Sequence, residues 1–263
     1  MSVFIIHLLP QGIIFAADRN ITINSVYQDR EQLISINNYG QTQSSKVLKW
    51  PNNKAIIGAV GAATLGGIPI NEWFYNFIGS NINFSNFNEL AKSLKDSVES
   101  QRLIDDSGNE PQAMVIHLGG FEKKDDIWVP VIYFIRNADI DSDGNYICSD
   151  FVYGEEVGRI FQSLKPNEIK QRLKELSEKR EPFWIHHEIG LKTFNLLDAF
   201  IKNALNIIYT NNIELSFPAT LNEWEKHAKM IVLTYEAYFQ AFKDPWEQYV
   251  GGGVDVLSLP WPK

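Results

Sequence analysis

Apolar residues fall in short, nearly unbroken runs over the first 60 positions and then switch to a helical spacing. VFIIHLL (3–9) and GIIFAAD (12–18) meet at Pro10-Gln11-Gly12, which predicts two core strands joined by a tight turn, the second closing on an acid, Asp18. A further strand is expected over 21–27. KVLKW (46–50) and KAIIGAV (54–60) flank Pro51-Asn52-Asn53, good turn chemistry between two more strands. After the small-residue stretch GAATLGG the pattern INEWFYNFI is helical. A second helix is predicted over 86–102, with Phe87, Leu90, Leu94 and Val98 on one face. Strands return over 113–121, 127–136 and 145–153.

The later chain reads mostly as helix. PNEIKQRLKELSEKR (166–180) is short and charged, and EIGLKTFNLLDAFIKNALNII (188–208) sets Leu196, Leu197, Phe200, Ile201 and Leu205 on one stripe. Over 220–242, Thr220 and Glu223 have the spacing of a capping box. GGVDVLSL is a last strand. No repeat, low-complexity tract or linker interrupts the series. Segregated runs of strands and helices predict an α+β fold of two antiparallel sheets with helices packed outside, in one domain over 1–263.

Composition narrows the classes. With 24 Lys+Arg against 32 Asp+Glu the chain carries a net charge of −8, which argues against nucleic acid or an anionic membrane as main partner. The single cysteine, Cys148, excludes an internal disulfide framework and fits a reducing compartment. The opening lacks a basic n-region, His7 and Pro10 break its apolar stretch, and no run approaches the roughly 20 apolar residues of a membrane span. A cytoplasmic protein is expected.

Two stretches carry candidate chemistry. IIFAADRNITI ends its strand at Asp18. SKVLKWPNNKAIIGAVGAA opens with Lys46 and reaches Gly61 15 positions later. With the element order, these stretches resemble the proteasome β-subunit family, and most closely its bacterial relative, the HslV peptidase. That resemblance implies a four-layer αββα sandwich of the N-terminal-nucleophile hydrolases. Placing Asp18 on the family aspartate without gaps sets the family's N-terminal nucleophile on Ser2. The implied roles are Ser2 as nucleophile and, through its freed amine, general base. Lys46 would lower the hydroxyl pKa, Asp18 would orient Lys46, and Gly61, with Gly58 as second choice, would donate to the oxyanion. Chemistry agrees with these types: a serine hydroxyl needs an adjacent base, and a terminal amine is one near neutral pH, provided Met1 is removed. On this reading Lys46→Ala removes activity while the fold survives. The resemblance also implies a peptide or protein substrate, a homo-oligomer, and an ATPase or unfoldase partner. No cofactor and no metal are expected.

The sequence departs from the family in places. About 30–40 residues around 165–205 form an added helical segment. Gly154 is followed by Glu155 where a serine is expected, and KDPWEQYVGGG (243–253) has no serine. These changes favour the alternative, a catalytically silent structural or peptide-binding subunit. DIDSDGNYICSD (139–150) mimics a calcium loop, but strands flank it and an acidic hairpin turn is the simpler reading. His186-His187 precede the 188–208 helix with no acid at convincing ligand spacing, so zinc is not expected. His227 reads as a core or interface histidine. Trp73, Phe74, Phe77 and Phe84 offer more aromatic surface than one short helix need bury, which predicts an interface between copies. The stripe Trp224, Tyr235, Tyr238, Phe239 and Phe242 reads as core or subunit contact.

Overall fold

A computed structural model of the chain describes residues 3–25, 38–101, 113–124, 126–140, 146–157, 164–179, 182–189, 218–241 and 252–262. In chain order the first strands are β1 (Val3–Leu9), β2 (Gly12–Asp18), β3 (Asn20–Ser25), β4 (Asn38–Gln43), β5 (Val47–Lys49) and β6 (Ala55–Gly61). Two short strands, β7 (Thr64–Leu65) and β8 (Ile68–Pro69), lead into helices α1 (Ile70–Ser80) and α2 (Phe87–Ser100). Then come β9 (Met114–Lys124), β10 (Ile127–Ile140), β11 (Tyr146–Glu155), α3 (Pro166–Lys179), β12 (Trp184–Ile189), α4 (Leu221–Ala241) and β13 (Val254–Pro260).

Every residue of β1 and β2 is buried, which explains why both read as continuous apolar runs rather than alternating ones. They lie at the centre of a four-stranded antiparallel sheet in the order β12-β1-β2-β13. The second sheet, also antiparallel, runs β11-β10-β9-β6-β5. The two sheets meet face to face through Phe4, Ile6, Leu8, Ile13 and Phe15 from the first and Ile56, Val60 and Ile132 from the second. Val3, Ile5, Leu9, Ile14 and Ala16, on the other face of the first sheet, pack against Trp224, Ala228, Val232 and Tyr235 of α4. Helices α1 and α2 cover the far face of the second sheet, where Phe74, Leu90 and Leu94 meet Ile57, Ile116 and Leu118. The layers are therefore α4, first sheet, second sheet, α1 with α2: the expected αββα sandwich.

Local chemistry sets the helix ends. Asn86 caps α2 by accepting from the Glu89 N–H over 3.0 Å. At α4 the capping box forms: Glu223 N–H donates to Thr220 Oγ1 at 3.2 Å and Thr220 N–H to Glu223 Oε2 at 3.0 Å.

Two expectations are corrected. The helix read from residue 188 does not begin there: Glu188 and Ile189 close β12, which lies along β1 with Phe4 opposite Glu188. Trp184 packs on the core between the sheets, so the stretch obeys a period of two, and residues 190–217 of the expected helix lie outside the described residues. The aromatic group of α1 is not an open surface. Trp73, Phe74 and Phe77 are buried, and the buried Trp50 lies between Phe77 and Phe84, with ring centroids 6.5 Å and 5.9 Å away. The flanks of the acidic 139–150 stretch pair as a hairpin, Ile140 opposite Tyr146, while 141–145 lie outside the described residues, and with them the calcium reading. No described helix is long and apolar enough to cross a membrane.

Candidate functional site

Strand β2 delivers Asp18 to its C-terminal end, where the side chain is wholly buried. Burying a carboxylate is costly unless it is paired and hydrogen-bonded. Here Lys46 Nζ donates to Asp18 Oδ1 over 2.9 Å, and the main-chain N–H of Val3 donates to the same oxygen over 2.8 Å. Lys46 is itself only 5% exposed. Burial pulls its pKa below the ordinary lysine value, and the Asp18 charge and hydrogen bond oppose that fall. Lys46 is placed just before β5, where its carbonyl accepts from the Ala59 N–H at 3.0 Å. The main chain beyond Asp18 is pinned as well: Arg19 N–H donates to the Gly253 carbonyl at 3.0 Å, and Arg19 Nε donates to Asp255 Oδ1 at 2.7 Å.

Met1 and Ser2 lie outside the described residues. The first described residue is Val3, whose N–H donates to Asp18. Gly61 closes β6, two residues past Ala59, with φ of +103°. A Cβ there would lie 2.1 Å from the Ala113 carbonyl oxygen, so both backbone angle and space demand glycine. Gly58 is required for another reason: a Cβ would lie 2.3 Å from the ring of Phe4. The structure thus brings Asp18, Lys46 and the Val3 amide together and puts Gly61 on the strand beside Lys46. Of the late glycines, Gly252 and Gly253 have φ of +77° and +94°; Asp244 and Gly251 lie outside the described residues.

A second polar cluster, with no counterpart in the sequence motifs, lies on β9 and β12. His117 of β9 points between the sheets, 1% exposed, with Nε2 2.9 Å from Glu188 Oε2 and Nδ1 3.5 Å from Glu156 Oε2. His186 Nε2 lies 3.7 Å from the same Glu188 oxygen. Burial alone would lower the His117 pKa, but Glu156 and Glu188 override it and raise it to about 9. Glu188 is held down to about 2, since the two histidines outweigh its burial. The only local signal was His186-x-Glu188, two residues sharing one face of a strand, and it was hidden by the helix expected from residue 188. The expected setting of His227 holds in part: its ring lies 5.2 Å from Trp224 and 5.7 Å from the buried His7, and burial lowers its pKa.

No protein-family model and no curated protein matches the chain. Among solved structures it is similar to Anbu (ancestral beta-subunit) from Yersinia bercovieri, at 14% identity and a TM-score of 0.44, over 99% of this chain and 81% of that one. It is also similar to a mutant of Anbu from Hyphomicrobium sp. strain MC1, at 13% identity and a TM-score of 0.33, over 82% of this chain and 98% of that one. These findings correct the affiliation read from the sequence. Membership of the proteasome β-subunit and HslV-like family, expected from the sequence, is not shown: no family model matches the chain, and the two structures named are Anbu proteins at low identity.

Proposed function

We propose that the chain is an N-terminal-nucleophile amide hydrolase acting on peptides through Ser2, once removal of what precedes it frees the Ser2 amine. The observation that carries this reading is the buried Lys46–Asp18 pair with the Val3 amide on the same carboxylate oxygen. A buried ion pair is weak evidence for stability, because two desolvated charges seldom gain more than they lose. One held directly beneath the residue after a serine is what an activated serine needs. In the proposed reaction the α-amine takes the Ser2 hydroxyl proton as Oγ attacks the amide carbonyl. Lys46 stabilises the developing charge, and an N–H of the chain at Gly61 serves the oxyanion. The proton passes to the leaving nitrogen, and water then hydrolyses the ester left on Ser2. Burial that lowers the Lys46 pKa makes it a readier proton partner than a surface lysine.

Assembly into a homo-oligomer belongs to the same proposal. Met230 and Leu233, 56% and 43% exposed and one turn apart on α4, are apolar surface open to it. The test is a β-lactone probe followed by N-terminal peptide mapping. Label on a free Ser2 amine-bearing peptide, lost in Ser2→Ala, is the expected result. Retained Met1 with no label would leave a silent binding subunit.

A further inference from the structure

The cluster between the sheets does not belong to the Asp18–Lys46 arrangement, and its chemistry differs. We infer that His117, His186 and Glu188 form a binding site for one divalent metal ion of the zinc class, with Glu156 orienting His117.

Two strands, one from each sheet, supply the three ligands. His117 comes from β9 of the second sheet, and His186 and Glu188 from β12, the edge strand of the first. One ligand atom from each lies within 4.8 Å of the others. Tetrahedral zinc with bonds of about 2.0–2.1 Å sets its ligand atoms about 3.3 Å apart. The two distances to Glu188 Oε2, 2.9 Å from His117 Nε2 and 3.7 Å from His186 Nε2, straddle that value. Small side-chain movements would bring all three onto one ion.

The rings are already held. His117 stacks on Phe4 with centroids 5.3 Å apart and planes within 9°, and His186 stacks on Trp184 at 5.2 Å and 12°. Fixed imidazoles lose little freedom when they ligate. The buried polar atoms point the same way. His186 Nε2, His117 Nδ1 and Glu156 Oε2 are buried and make no hydrogen bond. Three such atoms at one place call for an explanation, since nearly all buried polar groups are satisfied. An ion between the ligands takes the lone pair of His186 Nε2. Coordination through His117 Nε2 puts that ring's hydrogen on Nδ1, facing Glu156 at 3.5 Å, the carboxylate–histidine–metal arrangement that orients a ligand.

Charge and softness decide the class. Two neutral imidazoles, two carboxylates and a dication make a neutral unit in a confined layer. A His2Glu donor set suits zinc or cobalt rather than the all-oxygen cages of calcium and magnesium, and leaves a fourth position open.

The experiment uses the full-length chain, stripped with chelator and titrated with Zn2+ by calorimetry and with Co2+ by visible absorption. The expected result is one equivalent per chain, a four-coordinate cobalt spectrum and a raised Tm. His186→Ala and Glu188→Gln, both on an edge strand, should each weaken Zn2+ affinity more than about 100-fold, and Glu156→Gln by about 10–100-fold. Circular dichroism checks that each variant folds. No stoichiometric uptake would overturn the inference and leave a cluster held by a proton on His117. Uptake unchanged in both His186→Ala and Glu188→Gln would overturn it equally, by placing the ion elsewhere.

Discussion

Val3 N–H and Lys46 Nζ converge on one oxygen of Asp18, at 2.8 Å and 2.9 Å. The carboxylate thus ties the start of β1 to the residue before β5, and so one sheet to the other. Asp18→Asn keeps the shape and removes the charge. It should lower labelling of Ser2 by the β-lactone at least about 100-fold, as loss of a positioned acid–base system does. Labelling at the wild-type rate would remove Asp18 from the proposed mechanism.

Lys46→Met has a structural cost that the sequence did not reveal. The sequence predicts a fold that tolerates loss of Lys46, but Asp18 is fully buried, and the substitution removes the cation 2.9 Å from its carboxylate. A loss of about 3–5 kcal/mol is expected in urea unfolding. Lys46→Met with Asp18→Asn should lose less than the two single changes summed. Additive losses would mean that the pair is not coupled.

Gly58→Ala reaches further than its size. The new methyl would lie 2.3 Å from Phe4, whose ring stacks on His117. Overpacking of this kind costs about 1–3 kcal/mol. It should also disturb the His117 ring resonance in NMR spectra. An unshifted resonance would mean that Phe4 yields without moving the stack.

In metal-free protein His117 should set a slope of stability against pH. Its folded pKa is raised from 6.5 to about 9, so its contribution is complete below pH 6.5 and is lost as pH rises towards 9. The loss is of order 3 kcal/mol, and denaturant titrations with chelator present should show it. His117→Gln should be flat in that window. A wild-type curve equally flat would show that the imidazole is not charged in the fold.

Phe74→Ala tests the reading of the α1 aromatics. Phe74 is fully buried against the second sheet, so truncation should cost about 3–5 kcal/mol and leave the light-scattering mass unchanged. A change of mass with little loss of stability would return those rings to an interface.

Much of the fold was legible because its information is local. Unbroken apolar runs gave β1 and β2 to the residue, and Thr220 with Glu223 marked the start of α4. Asp18 and Lys46 were legible as an acid ending a strand and a base opening one. What stayed hidden depends on where other segments land. Phe77 looks exposed until Trp50 covers it, and His117, an ordinary residue in an apolar strand, gains its partners only when β12 comes alongside β1. NYGQTQ, which forms β4, carries no apolar alternation from which to read a strand.

The first sheet also fixes an order of events during synthesis. Asp18 pairs in register with Val254, and its neighbour Arg19 bonds to Asp255, 236 positions along the chain. Contacts so distant in sequence form late, because a long loop must close before they repay its entropy. While the ribosome is still making the helices, β2 has no partner on that side and the chain around Asp18 is not yet pinned. Until that last segment emerges, Arg19 lacks both the Gly253 carbonyl and the Asp255 carboxylate, so the turn that leaves Asp18 sets only when the final strand is added.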